Sequence, residues 1–136
     1  MGSELHASVV TPERAVYEGP ARFVALPAWD GEIGVMSHRA PLLVKLGVGK
    51  LRIDTGAGSG EDELVFLIDG GFAEMVDNRL TVLTEDARTP EELDAEAGKV
   101  ALSEAKALTG GSDAEVEHRE RAERRARLEM RMAPTD

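Results

Sequence analysis

Two carboxylates and an imidazole in one short stretch, Asp30, Glu32 and His38, are the residue types of general acid–base chemistry: a proton donor, an acceptor and a group to orient either. Carboxylates beside a glycine turn are ordinarily just solvated, and no catalytic role is expected of these. The chain has no cysteine, which excludes a disulfide framework, a thiolate nucleophile and thiolate metal ligands. His6, His38 and His118 are scattered without the spacing of paired ligands, so neither a metal site nor a cofactor is expected. Gly70-Gly71 follows an apolar run but lacks the phosphate-loop pattern and the helix that should come next. A bulge or strand crossing explains the pair better. Trp29, next to Asp30, reads as an exposed anchor for a partner, or else as ordinary core. Arg119, Arg121, Arg124, Arg125 and Arg127 form a basic run that suits an acidic surface; a solvated, salt-paired face is the plainer reading, and the two are compatible.

The elements that must position these groups change character along the chain. Leu5, Ala7 and Val9 alternate with His6 and Ser8, the period of a half-buried strand. Further short strands are expected at residues 15–18, 22–26, 42–46, 50–54, 64–68, 72–76 and 80–83, with Gly47, Gly49 and the glycines of 56–62 as breaks. Asp30-Gly31 and Asp77-Asn78 mark tight reversals. Pro41 pushes Ala40 toward an extended conformation. Residues 1–88 therefore read as an all-β sandwich of about ten short antiparallel strands.

From Thr89 the pattern becomes helical. Thr89-Pro90-Glu91-Glu92 combines a capping threonine, proline at the first helical position and a glutamate three places after the cap. Leu93, Ala97, Val100, Ala101 and Leu108 are expected on one helix face, and Gly110-Gly111 ends that helix. Ser112 to Glu115 opens a second helix with another capping box. So short a link predicts a C-terminal α-helical hairpin over residues 89–136. In the second helix Glu115–Arg119, Glu117–Arg121, Glu120–Arg124 and Glu123–Arg127 are i,i+4 pairs with the acid first, each contributing roughly 0.2–0.5 kcal/mol to an isolated helix. Its apolar stripe, Val116, Ala122, Ala126 and Met130, is poor. The helix is expected to support itself and to grip its neighbours weakly, a combination that suits a conformational switch.

A formal net charge of −10 argues against non-specific nucleic-acid binding, which needs a basic stripe. No apolar run approaches the roughly 20 residues that span a bilayer, and the N-terminus shows no signal core. The chain reads as cytosolic, with any membrane association passing through a partner.

Residues 27–43, PAWDGEIGVMSHRAPLL, and residues 70–87, GGFAEMVDNRLTVLTEDA, in this order and followed by two helices, resemble the ε subunit of bacterial F-type ATP synthases over nearly the whole chain. One departure lies at the loop tip, where the family reads Pro-x-His-x-Pro. Here the segment is Ser37, His38, Arg39, Ala40, Pro41, with the histidine one place early and Arg39 in its slot.

The resemblance implies a non-catalytic subunit of the rotary central stalk. Its β domain would bind the γ subunit and seat the stalk on the c-ring, coupling proton flow to ATP synthesis. Its hairpin would act as a reversible brake on ATP hydrolysis. The resemblance further implies that the loop carrying Trp29, Asp30, Glu32, His38 and Arg39 faces the polar loops of the c-ring. The arginines of the second helix would meet the catalytic α/β head when the hairpin extends. A nucleotide motif found in some members falls on residues 114–119, with Glu115 and His118 as candidates; its arginine and alanine are not in place, and ATP binding is expected to be absent or weak. The implied location is the cytoplasmic face of the bacterial membrane, peripheral, through the complex and without direct insertion. The alternative is a stand-alone β-sandwich binding module that self-associates through Leu93, Val100 and Leu108.

Overall fold

In β1 (Leu5–Val10), Leu5, Ala7 and Val9 are buried while His6, Ser8 and Val10 are half-exposed, so one face of the strand looks inward. The computed structural model to which this strand belongs describes residues 4–56 and 63–135. The reversal expected at 56–62 lies, from 57 onward, outside the described residues. The chain divides into two compact units, Met1–Ala87 and Arg88–Asp136.

In the first unit β2 (Ala15–Ala21) runs antiparallel to β1. β3 (Phe23–Ala28) and β4 (Gly31–Met36) form a hairpin whose register ends at Ala28 opposite Gly31, leaving Trp29 and Asp30 at its tip. β5 (Leu42–Asp54) and β6 (Glu63–Val76) are long, with 13 and 14 residues, and pair from Leu42 opposite Met75 to Asp54 opposite Glu63. After the Asp77-Asn78 turn, β7 (Arg79–Leu83) pairs antiparallel with β6 and parallel with β1. A two-residue strand, β8 (Ala87–Arg88), pairs with β6.

The sandwich is as expected, and its strands differ in two ways. Eight strands occur among the described residues, because segments expected to be separate are fused across Gly47 and Gly49 in β5 and across Gly70 and Gly71 in β6. These glycines are bends within strands. Gly70 and Gly71 have φ of 74° and 111°, a region that side chains disfavour. The β5–β6 ribbon can therefore pass from one layer to the other without ending. One half continues into β7, β1 and β2, and the other into β3 and β4. The second difference is the parallel β1–β7 pair, which joins segments too distant in sequence for a local pattern to show.

Between the layers lie Leu26, Leu46, Leu51, Ile53, Met75 and Leu80, each at most 2% exposed. Thr84 is the buried polar residue of the described chain, and its hydroxyl donates to Asp86 O at 3.2 Å.

In the second unit the Thr89–Glu92 capping box forms, but it caps only a single 3-10 turn. Leu93 then turns extended, and Asp94 caps the helix proper, accepting from the N–H groups of Glu96 and Ala97. α1 (Ala95–Lys106) thus starts later than expected and stops short of Gly110. The face expected to carry Leu93, Val100 and Leu108 is not a seam either. Leu93 is buried, Val100 is 55% exposed, and Leu108 lies beyond the helix at 40%. Leu93 is therefore withdrawn from any surface that Val100 and Leu108 could share. α2 (Asp113–Met132) begins where its capping box places it, behind Ser112.

Candidate partner-binding surfaces

The five loop candidates do not form one surface. Trp29 and Asp30 make the two-residue tip of the β3–β4 hairpin; Trp29 is 66% exposed, and its backbone N–H donates to Lys45 O at 3.0 Å. Glu32 is on β4, where Arg52 of β5 holds its carboxylate at 3.3 Å and also reaches Glu63 at 3.8 Å. His38 and Arg39 are past the far end of β4, and the strand's length separates them from the tip by about 20 Å. An alternating strand carries two of its ends in opposite directions, which the spacing of residues along a supposed loop conceals. The expectation of a single loop from Trp29 to Arg39 is therefore corrected to two ends of one hairpin strand. Neither end gathers acid, base and imidazole.

The His38 end is organised by a residue not singled out as functional by sequence. Asn78, at φ 61° in the β6–β7 turn, accepts the His38 N–H on Oδ1 at 2.7 Å. Its Nδ2 donates to Glu4 O at 2.9 Å, and its carbonyl accepts the His6 N–H at 3.1 Å. Three segments are thus tied through one side chain and its backbone. The signal was the turn itself: Asp77 at φ 50° followed by Asn78 is the paired left-handed geometry of a tight hairpin, and an amide there has both a donor and an acceptor to offer.

A third surface is apolar and was also missed. Phe72 and Leu83 face one another across β6 and β7 and are 54% and 53% exposed. Leu43, opposite Glu74, shares their face and is 71% exposed. Apolar side chains on both faces of a strand are the sequence signal for such a patch. Beside it a cleft of about 490 Å³ opens among Val10, Pro12, Gly71, Phe72, Leu83 and Glu85. Neither Asp30 nor Glu32 lines it.

In the second unit the five arginines fan around α2, since successive residues advance by about 100°. Arg119 reaches back to the turn, donating from Nη1 to Gly110 O at 3.3 Å. Arg125 pairs with Glu129 at 3.3 Å, an arginine-first pair that a search for acid-first pairs overlooks. Arg127 pairs with Glu123 at 3.1 Å, as the spacing predicted. Arg121 and Arg124 are exposed, and Arg124 makes no ion pair among the described residues. The basic run is therefore partly spent within the hairpin, although Arg121, Arg124 and Arg127 are all exposed.

Glu115, a nucleotide candidate, already has a task. Its carboxylate accepts the Ser112 N–H at 3.2 Å, while its own N–H donates to Ser112 Oγ at 3.1 Å. The hydrogen bonds with Ser112 hold its pKa below the ordinary glutamate value, with Arg119 adding a smaller push in the same direction. His118 is exposed one turn along the same helix. A carboxylate with a depressed folded pKa contributes stability above its unfolded pKa and loses it as pH falls through the folded value. The Glu115 carboxyl resonance is accordingly expected to titrate below the usual glutamate range. Wild-type helicity should show an acid loss under pH 4.5 that is smaller in Glu115→Gln, and circular dichroism across pH 7 to 3 checks it. Among the described residues no three His, Asp or Glu side chains gather as metal ligands.

Comparison with known proteins bears on both units. Residues 4–90 match the family model described as the ATP synthase, Delta/Epsilon chain, beta-sandwich domain. The ATP synthase epsilon chain of Rhodopirellula baltica is 39% identical over 123 residues, covering 90% of this chain and 93% of the relative. That of Brevibacillus brevis is 38% identical over 103 residues, 76% of each chain. Among solved structures, a chain of the Euglena gracilis mitochondrial ATP synthase (OSCP/F1/c-ring) superposes with a TM-score of 0.77 at 23% identity, covering 93% of this chain and 82% of that one. A chain of the Tetrahymena thermophila mitochondrial ATP synthase central stalk/c-ring gives 0.66 at 15% identity, covering 95% and 96%. At such identities the likeness is one of fold.

Proposed function

The chain belongs to the ATP synthase epsilon chain family, and from that premise we propose that it is a non-catalytic subunit of the rotary central stalk. The sandwich binds the γ subunit and seats the stalk on the c-ring, so that rotation driven by proton flow is transmitted to the catalytic head. The exposed Trp29–Asp30 tip is the element assigned to the c-ring loops. It is carried on a paired hairpin and therefore presented in a defined position. The Phe72–Leu83–Leu43 face supports a protein partner on the sandwich, for which γ is the proposal. Peripheral attachment at the cytoplasmic face of the bacterial membrane, through the complex, is part of this proposal; no helix of the described residues is long and apolar enough to cross a membrane.

The hairpin is assigned the role of a brake on ATP hydrolysis, with the exposed side chains of Arg121, Arg124 and Arg127 as its proposed contacts with the catalytic α/β head. One observation carries this reading. Of the 20 residues of α2, Ala126 is the buried one, while the helix start is capped on both sides by Ser112 and Glu115. Such a helix keeps its form with little burial and can change neighbours. Removing the residues after Thr89 is expected to raise ATP hydrolysis by the reconstituted complex several-fold while leaving assembly intact. Unchanged hydrolysis in an assembled complex would remove the brake and leave the stalk role standing.

A further inference from the structure

The buried residues of α1 are Gly98 and Ala105, and that of α2 is Ala126. Gly98 is the point of closest approach. A Cβ added there would lie 2.7 Å from Met130 Cγ, 3.0 Å from Met130 N and 3.1 Å from Ala126 O. Two of those atoms are backbone, so α2 itself would have to move. Glycine is the weakest helix former after proline, and its presence inside α1 is explained by this crossing and by nothing in the helix alone. A polar tie lies next to it. Glu129 of α2 accepts the N–H of Asp94, the cap of α1, on Oε2 at 3.3 Å, and receives Arg125 on Oε1 at 3.3 Å. The Glu129 side chain is only 13% exposed and its bond from Arg125 is partly buried, while the bond from the Asp94 N–H lies at the surface.

We propose that Gly98 and Glu129 form a latch that sets the balance between the closed hairpin and two separated, intact helices. The inference deepens the braking role and rests on it for its biological meaning; the latch itself is a property of this chain. Each helix has its own cap, Asp94 for α1 and Ser112 with Glu115 for α2. Separation therefore breaks the Gly98 contact and the Glu129 tie without removing what starts either helix. Opening is a parting of rods, and a single methyl group at Gly98 is enough to favour it.

The substitution Gly98→Ala gives opposite signs for the two properties. Alanine strengthens α1 as a helix and weakens its fit against α2. Spin labels on cysteines introduced at Val100 and Arg124 of the full, otherwise cysteine-free chain read the interhelical distance. Gly98→Ala is expected to raise the ratio of separated to closed hairpin about tenfold, with helicity by circular dichroism unchanged or higher. Glu129→Ala should raise the same ratio several-fold. Glu129→Gln, which keeps an acceptor for the Asp94 N–H, should restore most of the closed form. Unchanged distances in both Gly98→Ala and Glu129→Ala, or a loss of helicity accompanying the separation, would overturn the latch. If the helices part as expected but hydrolysis by the complex containing Gly98→Ala stays at the wild-type level, the latch stands and the braking role falls.

Discussion

Replacing Gly71 with alanine is expected to cost the sandwich about 3 kcal/mol or more, enough to leave much of the protein unfolded or insoluble. Two effects add. The backbone sits at φ 111°, where a side chain is strained. The new Cβ would also overlap the carbonyl oxygen of Leu83 and come within 2.8 Å of Thr84 Cα. Those are backbone atoms of the neighbouring strand, so no rotamer change relieves the contact. Gly31 provides the control. It has φ 144°, but a Cβ there meets nothing within 4 Å, so Gly31→Ala carries the strain without the collision. Denaturant midpoints of the two variants should separate clearly, with Gly31→Ala losing only the strain, about 1–2 kcal/mol. Equal midpoints would mean that the β6 bend yields more easily than its geometry indicates.

Leu51→Ala is expected to cost about 2–5 kcal/mol by removing a fully buried side chain and leaving a cavity. Leu51 is 0% exposed, stands opposite Phe66 in the β5–β6 ribbon and belongs to the core cluster. For a domain of this size each kcal/mol shifts Tm by roughly 4–8 °C, so thermal unfolding resolves the effect easily. Leu43 is on the same strand and is 71% exposed; Leu43→Ala should leave Tm nearly unchanged, within about 0.5 kcal/mol. A large loss for Leu43→Ala would show that its face is already covered by another molecule in solution.

The contrast between these two leucines was partly legible in the sequence. Alternation over residues 50–54 placed Leu51 and Ile53 together on one face, and both are buried. Features governed by neighbours in the chain were generally readable: the Ser112–Glu115 cap, the Asp77-Asn78 turn and the Glu123–Arg127 pair are all present. The Thr89 cap shows the limit of such reading. Its hydrogen bonds form, yet they start only one turn, because Asp94 offers a second cap to a helix whose position is fixed by the Gly98 crossing. Glycines misled for a related reason. Gly47 and Gly49 look like strand ends in one dimension, and only the second layer of the sandwich shows why β5 continues through them, whereas Gly70-Gly71 is the strand irregularity that its pattern suggests. The partner-facing loop failed differently. Nearness in sequence is not nearness in space here, because β4 carries His38 and Arg39 to the opposite end from Trp29.

The parallel pairing of β1 with β7 has a consequence for how the chain emerges from the ribosome. Val9 and Val82 are partners, as are Ala7 and Leu80, so β1 lacks one of its two sheet neighbours until β7, about 70 residues later, has been made. At about 5–20 residues per second that wait lasts roughly 4–15 s. During this interval the β1–β2 hairpin must persist as an unfinished edge, while the β5–β6 ribbon can zip locally as soon as it is made. The first unit therefore completes its core late, when β7 docks against a strand made long before it.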